Sequence, residues 1–286
     1  MDGGERSTLL ATLGAQVAAG ELVPFLGPGV LAMGETASAL PTSPVALVAR
    51  LAAKVGIPGR IRNNLWGAAQ YIETNRHRVT LEKIMNDVFA VVPEPGPIHR
   101  WLASLTTTPL VIDTWYDGVM ARAYEEAGRR DVGHLQGVTR NGEWREIWYR
   151  FYHPDGSEAQ ASDAGDWATI LYKPHGSVTP AKNYLISDSD YVEVLTEIDI
   201  QTPIPDVIKE LRAERGFLFL GCRFDDQMLR TFARQIIKRS KGPHYAVLAD
   251  PGELTRNEEK FLVEQGITPI FTDLASAAEA LAQVPS

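Results

Sequence analysis

Hydrophobic residues along the chain follow two spacings, one typical of amphipathic helices and one typical of buried strands. Apolar residues at every third or fourth position predict an opening helix over about Ser7–Ala19. Short, continuous apolar runs, each followed by glycine or polar residues, predict buried strands. These runs are Leu22–Leu26, Leu110–Ile112, Ala168–Tyr172, Phe217–Leu220, Tyr245–Leu248 and Thr268–Phe271.

Helical patterns separate most of these strands. Helices are predicted around Pro205–Arg215, after Asp225 as a capping residue, and near Glu253–Glu264, with a further helix at the end of the chain. Strands that alternate with helices predict right-handed crossovers and a mostly parallel sheet. We therefore predict an α/β fold over residues 1–286, with a Rossmann-like parallel sheet and helices on both faces.

Two segments depart from this alternation. Residues 43–105 carry helical apolar stripes and begin with Ser43 as a candidate N-cap and Pro44 at the first helical position. They predict a smaller helical module beside the sheet. Residues 130–166 combine scattered glycines with short aromatic pieces and predict an irregular, antiparallel β insertion.

Composition excludes several classes of protein. The chain has 286 residues and a net charge of −8, which argues against non-specific nucleic-acid binding because phosphate contacts need a surplus of Lys and Arg. No apolar run reaches the roughly 20 residues that span a bilayer, and the first residues show no signal-peptide pattern, so we expect a cytoplasmic protein with no membrane partner. Cys222 is the single cysteine, so a four-cysteine zinc site is impossible.

A glycine turn, Gly27-Pro28-Gly29, follows the first predicted strand directly. In α/β proteins a strand that runs into such a turn can bring backbone N–H groups to a phosphate. Gly27 and Gly29 can adopt a positive φ and carry no Cβ, so a pyrophosphate could approach the main chain closely. The same pattern also occurs in plain tight turns, and the motif alone leaves both interpretations open.

Four such turns are expected to meet, because ligands of parallel sheets bind beyond the carboxyl ends of the strands. The turns are Gly27–Gly34, Asp113–Asp117, His175–Ser177 and Gly221–Asp226. His175 is the best candidate for an acid or base, since its unperturbed pKa of about 6.5 suits proton transfer near neutrality. A histidine that only anchors the loop is the alternative. Asp225 and Asp226 fit a helix cap better than a catalytic pair.

These segments resemble the sirtuin-like domains of bacterial NAD-cleaving defence proteins. Leu22–Val30 resembles the strand and Gly-Ala-Gly-x-Ser loop of that family, Pro109–Asp117 its Thr-Asn-Tyr-Asp segment, and Tyr172–Ser177 its Lys-Leu-His-Gly-Ser segment. Phe217–Asp226 is similar to the late strand, glycine and capping aspartate. The matches occur in the family's order from about Leu22 to Phe271.

The resemblance implies NAD binding across the strand ends and cleavage of the N-glycosidic bond to nicotinamide. It implies that His175 is catalytic, and Asp113 is the second catalytic candidate. It also implies that NAD or ADP-ribose is the ligand, that no metal is needed, and that the chain acts as a homo-oligomer or in a larger defence complex. The expected cofactor-binding residues are Gly27, Pro28, Gly29, Val30, Thr114, Trp115, Asp117, Gly176, Gly221 and Cys222.

The chain departs from the family pattern at two positions of the expected site. Trp115 replaces the asparagine, and an indole has one donor and no acceptor, so it cannot orient a water or ribose as an amide does. Pro28 replaces an alanine and removes one N–H group from the loop. Two hypotheses therefore stay open, an NAD glycohydrolase or a degenerate module that binds NAD or ADP-ribose or serves as a scaffold.

Two further activities are disfavoured. A Rossmann dehydrogenase would need an acidic ribose-binding residue about 20 residues after the glycine turn, and residues 45–53 contain none. A zinc-dependent lysine deacylase would need the zinc module that a single cysteine cannot provide.

Overall fold

The computed structural model describes residues 2–33, 40–139, 147–197 and 204–283. The strands are β1 Leu22–Leu26, β2 Leu110–Asp113, β3 Val132–Gly137, β4 Tyr149–Tyr152, β5 Glu158–Ala159, β6 Thr169–Lys173, β7 Gly176–Ser177, β8 Asn183–Tyr184, β9 Gly216–Leu220, β10 His244–Leu248 and β11 Ile267–Phe271. The helices are α1 Gly3–Ala18, α2 Pro44–Lys54, α3 Leu65–Arg76, α4 Arg78–Phe89, α5 Pro97–Ser104, α6 Val119–Glu126, α7 Asp188–Glu197, α8 Asp206–Ala213, α9 Gln227–Ile237, α10 Arg256–Glu264 and α11 Leu274–Leu281.

The main sheet has the strand order β11-β10-β9-β1-β2-β6-β3-β4-β5 over the residues that the structure describes. Neighbouring strands from β11 to β3 pair in parallel, which confirms the predicted Rossmann-like sheet. Leu26 at the end of β1 is in register with Leu220 of β9 and with Asp113 of β2. The carboxyl ends of these three central strands therefore lie side by side.

Helices cover both faces of the sheet, as predicted. Within β1, Val23 and Phe25 belong to one hydrophobic core and Leu22 and Leu26 to the other, because successive side chains of a strand point to opposite faces. The first core is closed by α8, α9 and α10, and the second by α1, α5, α6 and α11. None of the described helices is long and apolar enough to cross a membrane.

The helical module has its own core, formed by α2, α3 and α4. Ser43 caps α2 as predicted, because its Oγ accepts a hydrogen bond of 3.2 Å from the N–H of Ala46. Trp115 and Tyr116, which follow β2, insert their side chains into this core. The module therefore packs against the turn that ends β2. The helix α5 lies within the range predicted for the module but packs on the sheet instead.

The segment predicted as a β insertion continues the main sheet. Its first strand, β3, pairs in parallel with β6, and β4 and β5 extend the edge in antiparallel pairs. Gly133 in β3 leaves room for a ring, since a Cβ there would lie 1.8 Å from the indole of Trp167. Gly133 thus allows close packing of Trp167 on β3. Residues 140–146 of this segment lie outside the described residues.

Candidate active site

A cavity of about 240 Å³ lies at the carboxyl ends of the central strands, between the sheet and the helical module. Its walls come from the turns after β1, β2, β6 and β9 and from the N-terminal ends of α2, α3 and α9. The structure therefore brings the four predicted turns together. The predicted site residues that line the cavity are Gly27, Pro28, Gly29, Thr114, Trp115, His175, Gly221 and Cys222.

Four predicted site residues do not line this cavity. The side chain of Val30 lies in the hydrophobic core of the sheet. Asp117 is buried and accepts a hydrogen bond of 2.9 Å from the N–H of Val119 at the start of α6. Gly176 has a φ of +83° and belongs to the small β7–β8 pair. Asp113 is buried beneath the cavity, where it forms an ion pair.

In the glycine turn, the hydrogen bonds of the N–H groups favour the second interpretation of the sequence, a tight structural turn. The N–H of Gly27 donates to the carbonyl of Leu220 and that of Gly29 to the carbonyl of Gly221, both at 2.9 Å. Neither glycine has a positive φ. Glycine is needed at these positions because the turn after β1 packs closely against the turn after β9. A Cβ on Gly27 would lie 2.5 Å from the carbonyl oxygen of Gly221.

His175 has the hydrogen-bond arrangement of a general base. Its Nδ1 lies 3.0 Å from the carbonyl oxygen of Thr114. A carbonyl can only accept, so Nδ1 carries the hydrogen and Nε2 keeps its lone pair. Nε2 is buried and has no hydrogen-bond partner among the described residues. A buried polar atom of this kind is rare in folded proteins, so Nε2 is available for a ligand.

Burial keeps the imidazole of His175 neutral. The pKa of His175 is lowered to about 4. Removal from water is the largest cause, the positive charge of Lys173 acts in the same direction, and the hydrogen bond to Thr114 acts against both. The ring is only 3% exposed. At neutral pH, His175 is therefore unprotonated on Nε2 and can accept a proton.

Aromatic rings surround His175. The ring centroids of Phe232, Tyr191 and Trp66 lie 4.8, 5.5 and 6.3 Å from that of the imidazole. Trp66 is held in place because its Nε1 donates a hydrogen bond of 2.9 Å to Asp226. Both Phe232 and Trp66 line the cavity, so the surface beside His175 is flat and apolar.

Of the two aspartates predicted to cap this helix, Asp226 caps the start of α9. Its Oδ1 accepts a hydrogen bond of 3.1 Å from the N–H of Leu229 and also holds Trp66. Sequence reasoning missed the contribution of Trp66, because α3 belongs to a module whose position on the sheet no local pattern encodes. The aspartate pair at a helix start was the signal that pointed to this corner of the site.

The indole N–H of Trp115 is already paired within the chain. Its Nε1 donates a hydrogen bond of 2.8 Å to the carbonyl of Pro41, and its ring packs 6.2 Å from that of Phe89 and 5.2 Å from that of Tyr116. The indole thus joins the chain before α2 to the turn after β2. It supplies an apolar part of the cavity wall.

Cys222 lines the cavity but is not a reactive thiol. Its side chain is buried, and burial raises the pKa of the thiol well above its ordinary value. Within the described ranges, no group of three or more histidine, cysteine or acidic side chains could hold a metal ion. Besides His175, the polar residues that line the cavity include Asn63, Arg223 and Asp225.

Comparison with known protein families identifies the family of this chain. The family model of the SIR2-like domain matches residues 109–270, more than half of the chain, and the chain therefore belongs to the SIR2-like family. A solved structure described as "Structural Basis for the Mechanism and Regulation of Sir2 Enzymes" aligns over 96% of this chain and 95% of its own, with 14% identity and a TM-score of 0.39. The search of curated proteins found no match.

Proposed function

We propose that this SIR2-like domain binds NAD in the cavity and hydrolyses the bond between ribose and nicotinamide, with His175 as the general base. One observation carries the proposal. Nε2 of His175 is an unprotonated nitrogen in a buried wall of the cavity, and it has no hydrogen-bond partner in the part of the chain that the structure describes. Hydrolysis needs such a group close to the reacting atoms.

The cavity fits one end of a dinucleotide better than the whole molecule. Sites for small molecules usually measure roughly 300–1,000 Å³, and this cavity measures about 240 Å³. The apolar faces of Trp66 and Phe232 suit a flat ring such as nicotinamide. We expect the nicotinamide end to be enclosed beside His175, with the rest of NAD along the opening.

The phosphates of NAD need other donors than the glycine turn, whose N–H groups are paired. The N-terminal end of α2 is the better candidate, since Thr42 and Ser43, whose hydroxyl groups can donate hydrogen bonds, line the cavity. The N-terminus of a helix carries a partial positive charge, which attracts phosphate.

The reaction balances with His175 as the only protein base. Water attacks the anomeric carbon, and its proton passes to Nε2 of His175. The electron pair of the breaking carbon–nitrogen bond returns to the nicotinamide ring, which leaves as a neutral molecule. The products are nicotinamide and ADP-ribose, and the proton on His175 is released to solvent.

A second function, a binding module without turnover, is favoured by Trp115. Its indole N–H is occupied by Pro41, so this residue cannot orient the attacking water. Such a module would bind NAD or ADP-ribose as a sensor, or serve as an assembly scaffold. The substitution Trp115→Asn separates the two ideas, because it restores an amide that can position water.

Calorimetric titration with NAD and with ADP-ribose, combined with an assay for released nicotinamide, tests both functions. We expect the wild type to bind and turn over NAD. Binding without turnover, with activity gained in Trp115→Asn, would support the sensor instead. Absence of binding to either compound would leave only the scaffold role.

We also propose a cytoplasmic role in defence against phage, as a homo-oligomer or within a larger complex. The support is the likeness of the four strand-end segments to NAD-cleaving defence proteins. We expect bacteria that express the chain to lose NAD during infection, and bacteria with His175→Ala to retain it. Sedimentation of the purified chain tests the oligomer.

A further inference from the structure

Asp113 and Lys173 form a buried ion pair beneath the cavity. The Nζ of Lys173 lies 2.7 Å from Oδ2 of Asp113, and the two side chains are only 6% and 3% exposed. Asp113 ends β2 and Lys173 ends β6, and these two strands are neighbours in the sheet. The pair therefore joins two strands at the point where one continues into Thr114 and the other into His175.

The second oxygen of Asp113 holds the turn after β2. Its Oδ1 accepts a hydrogen bond of 3.1 Å from the N–H of Trp115 and so spans Thr114. Thr114 is also held by two bonds to the carbonyl of Leu26, from its N–H at 3.0 Å and from its Oγ1 at 2.8 Å. The carbonyl of Thr114 then accepts the hydrogen bond from Nδ1 of His175. Hydrogen bonds thus connect the ion pair to the imidazole through a single turn.

Stability alone is a weak reason for this ion pair. Removing two charges from water costs about as much as their attraction returns, and apolar residues of similar size often serve equally well. Neither Asp113 nor Lys173 lines the cavity, so neither is placed to touch a ligand. The pair is distinguished by its position in the sequence. Asp113 directly precedes Thr114, and Lys173 lies two residues before His175.

The positive charge of Lys173 and the hydrogen-bond geometry both favour a neutral His175. A positive charge close to His175 opposes a second proton on the ring, and Lys173 contributes to the lowered pKa of this histidine. The negative charge of Asp113 is compensated by Lys173 and opposed by the nearby Asp117. The imidazole therefore meets a net environment that favours its neutral form.

We infer that the Asp113–Lys173 ion pair is a positioning device for His175. It holds the carbonyl of Thr114, and this carbonyl fixes the imidazole with its hydrogen on Nδ1 and its lone pair on Nε2. Asp113 is then a positioning residue, in place of the catalytic role predicted from the sequence. The functional meaning of the inference rests on the proposed function, but the location of the hydrogen on His175 does not.

The test reads the tautomer of His175 directly, by NMR of the full chain with ¹⁵N-labelled histidine. The main variant is Asp113→Asn combined with Lys173→Met, which removes both charges and leaves no unpaired charge in the interior. Lys173→Arg keeps the charge and serves as the conservative variant. Asp131→Asn is the matched control, because it breaks the Asp131–Arg129 pair at the opposite end of the sheet.

We expect the wild type and Asp131→Asn to show a single tautomer with the hydrogen on Nδ1. The double variant should show a mixture of tautomers and a higher pKa of His175, and Lys173→Arg, which keeps the charge, should retain the wild-type spectrum at least in part. If the wild type is active, nicotinamide release by the double variant should fall about 10²-fold in kcat, with KM little changed, because the base is misplaced rather than removed.

The inference is overturned if the folded double variant keeps the tautomer and pKa of the wild type. Should the double variant fail to fold, Asp113→Glu gives the same test, because it keeps the charge and moves the carboxylate by one methylene. An inactive wild type whose tautomer changes in the variants would refute the proposed function and leave the positioning role standing.

Discussion

Three histidines, His99, His134 and His175, make the stability of this domain depend on pH. Burial lowers the pKa of each from 6.5 to about 4, and it is the largest cause in all three cases. Between these two values the unfolded chain binds protons that the folded chain does not. The stabilisation is therefore complete above pH 6.5 and is lost as the pH falls towards 4.

The size of the effect follows from these values. Lowering the pH from 7.5 to 5 should cost about 2 kcal/mol of unfolding free energy for each histidine, since each pH unit below the unfolded pKa contributes about 1.4 kcal/mol. Three histidines together cost about 6 kcal/mol, which is a large part of the roughly 5–15 kcal/mol that stabilises a typical domain. Asp113 acts in the opposite direction, because burial raises its pKa, whereas His244 adds to the loss, because burial lowers its pKa.

Urea unfolding followed by tryptophan fluorescence at pH 7.5, 6.5, 5.5 and 5.0 measures the effect. The slope of free energy against urea should stay constant, which serves as the control for an unchanged unfolded state. The variant His134→Gln removes one titrating group and should reduce the loss by about 2 kcal/mol. An unfolding free energy that stays within about 1 kcal/mol between pH 7.5 and 5.0 would refute the reasoning.

Three further predictions concern packing, charge and reactivity. Gly27→Ala should cost about 1–3 kcal/mol of unfolding free energy in urea titrations, because its Cβ would lie 2.5 Å from a backbone carbonyl, whereas Gly56→Ala has nothing within 4 Å of the new atom and should be nearly neutral. Arg78→Met should cost about 3–5 kcal/mol in the same assay, because it leaves the carboxylate of Asp190, which is 1% exposed, without its ion-pair partner. Lys209→Met breaks the surface pair with Asp206 and should cost at most about 1 kcal/mol. Cys222 should react with iodoacetamide only when the chain unfolds, as mass spectrometry after labelling in increasing urea will show; rapid labelling of the folded chain would contradict this.

The sheet could be predicted from the sequence because its central strands are continuous apolar runs. The first strand was predicted at Leu22–Leu26 and lies there, and β9 was predicted one residue shorter than observed. Such strands are buried on both faces, so their limits are marked by the glycine or polar residue that follows. The convergence of the four turns then followed from the rule for parallel sheets.

The polar architecture of the site could not be predicted in the same way. Trp66 and Asp226 are 160 residues apart, and their hydrogen bond depends on how the helical module sits on the sheet. The pairing of Lys173 with Asp113 depends on the order of β2 and β6 in the sheet. The sequence did contain one signal for this pair. Asp113 and Lys173 each end a buried strand, where an unpaired charge would be costly.

The glycine turn shows the same limit at a smaller scale. A Gly-x-Gly pattern after a strand is compatible with a phosphate site or with close packing of two turns, and the residue types alone do not separate the two. The N–H groups of Gly27 and Gly29 are bonded to the strand end and turn at Leu220 and Gly221, a contact between distant parts of the sequence.

The most direct test of the proposed function is the release of nicotinamide from NAD by the purified chain, measured by chromatography at pH 7.5. The wild type and His153→Ala, which alters a partly exposed histidine away from the cavity, should release nicotinamide at the same rate. His175→Ala should bind NAD but release nicotinamide only at the background rate. Equal release by the wild type and His175→Ala would contradict the assignment of His175 as the base.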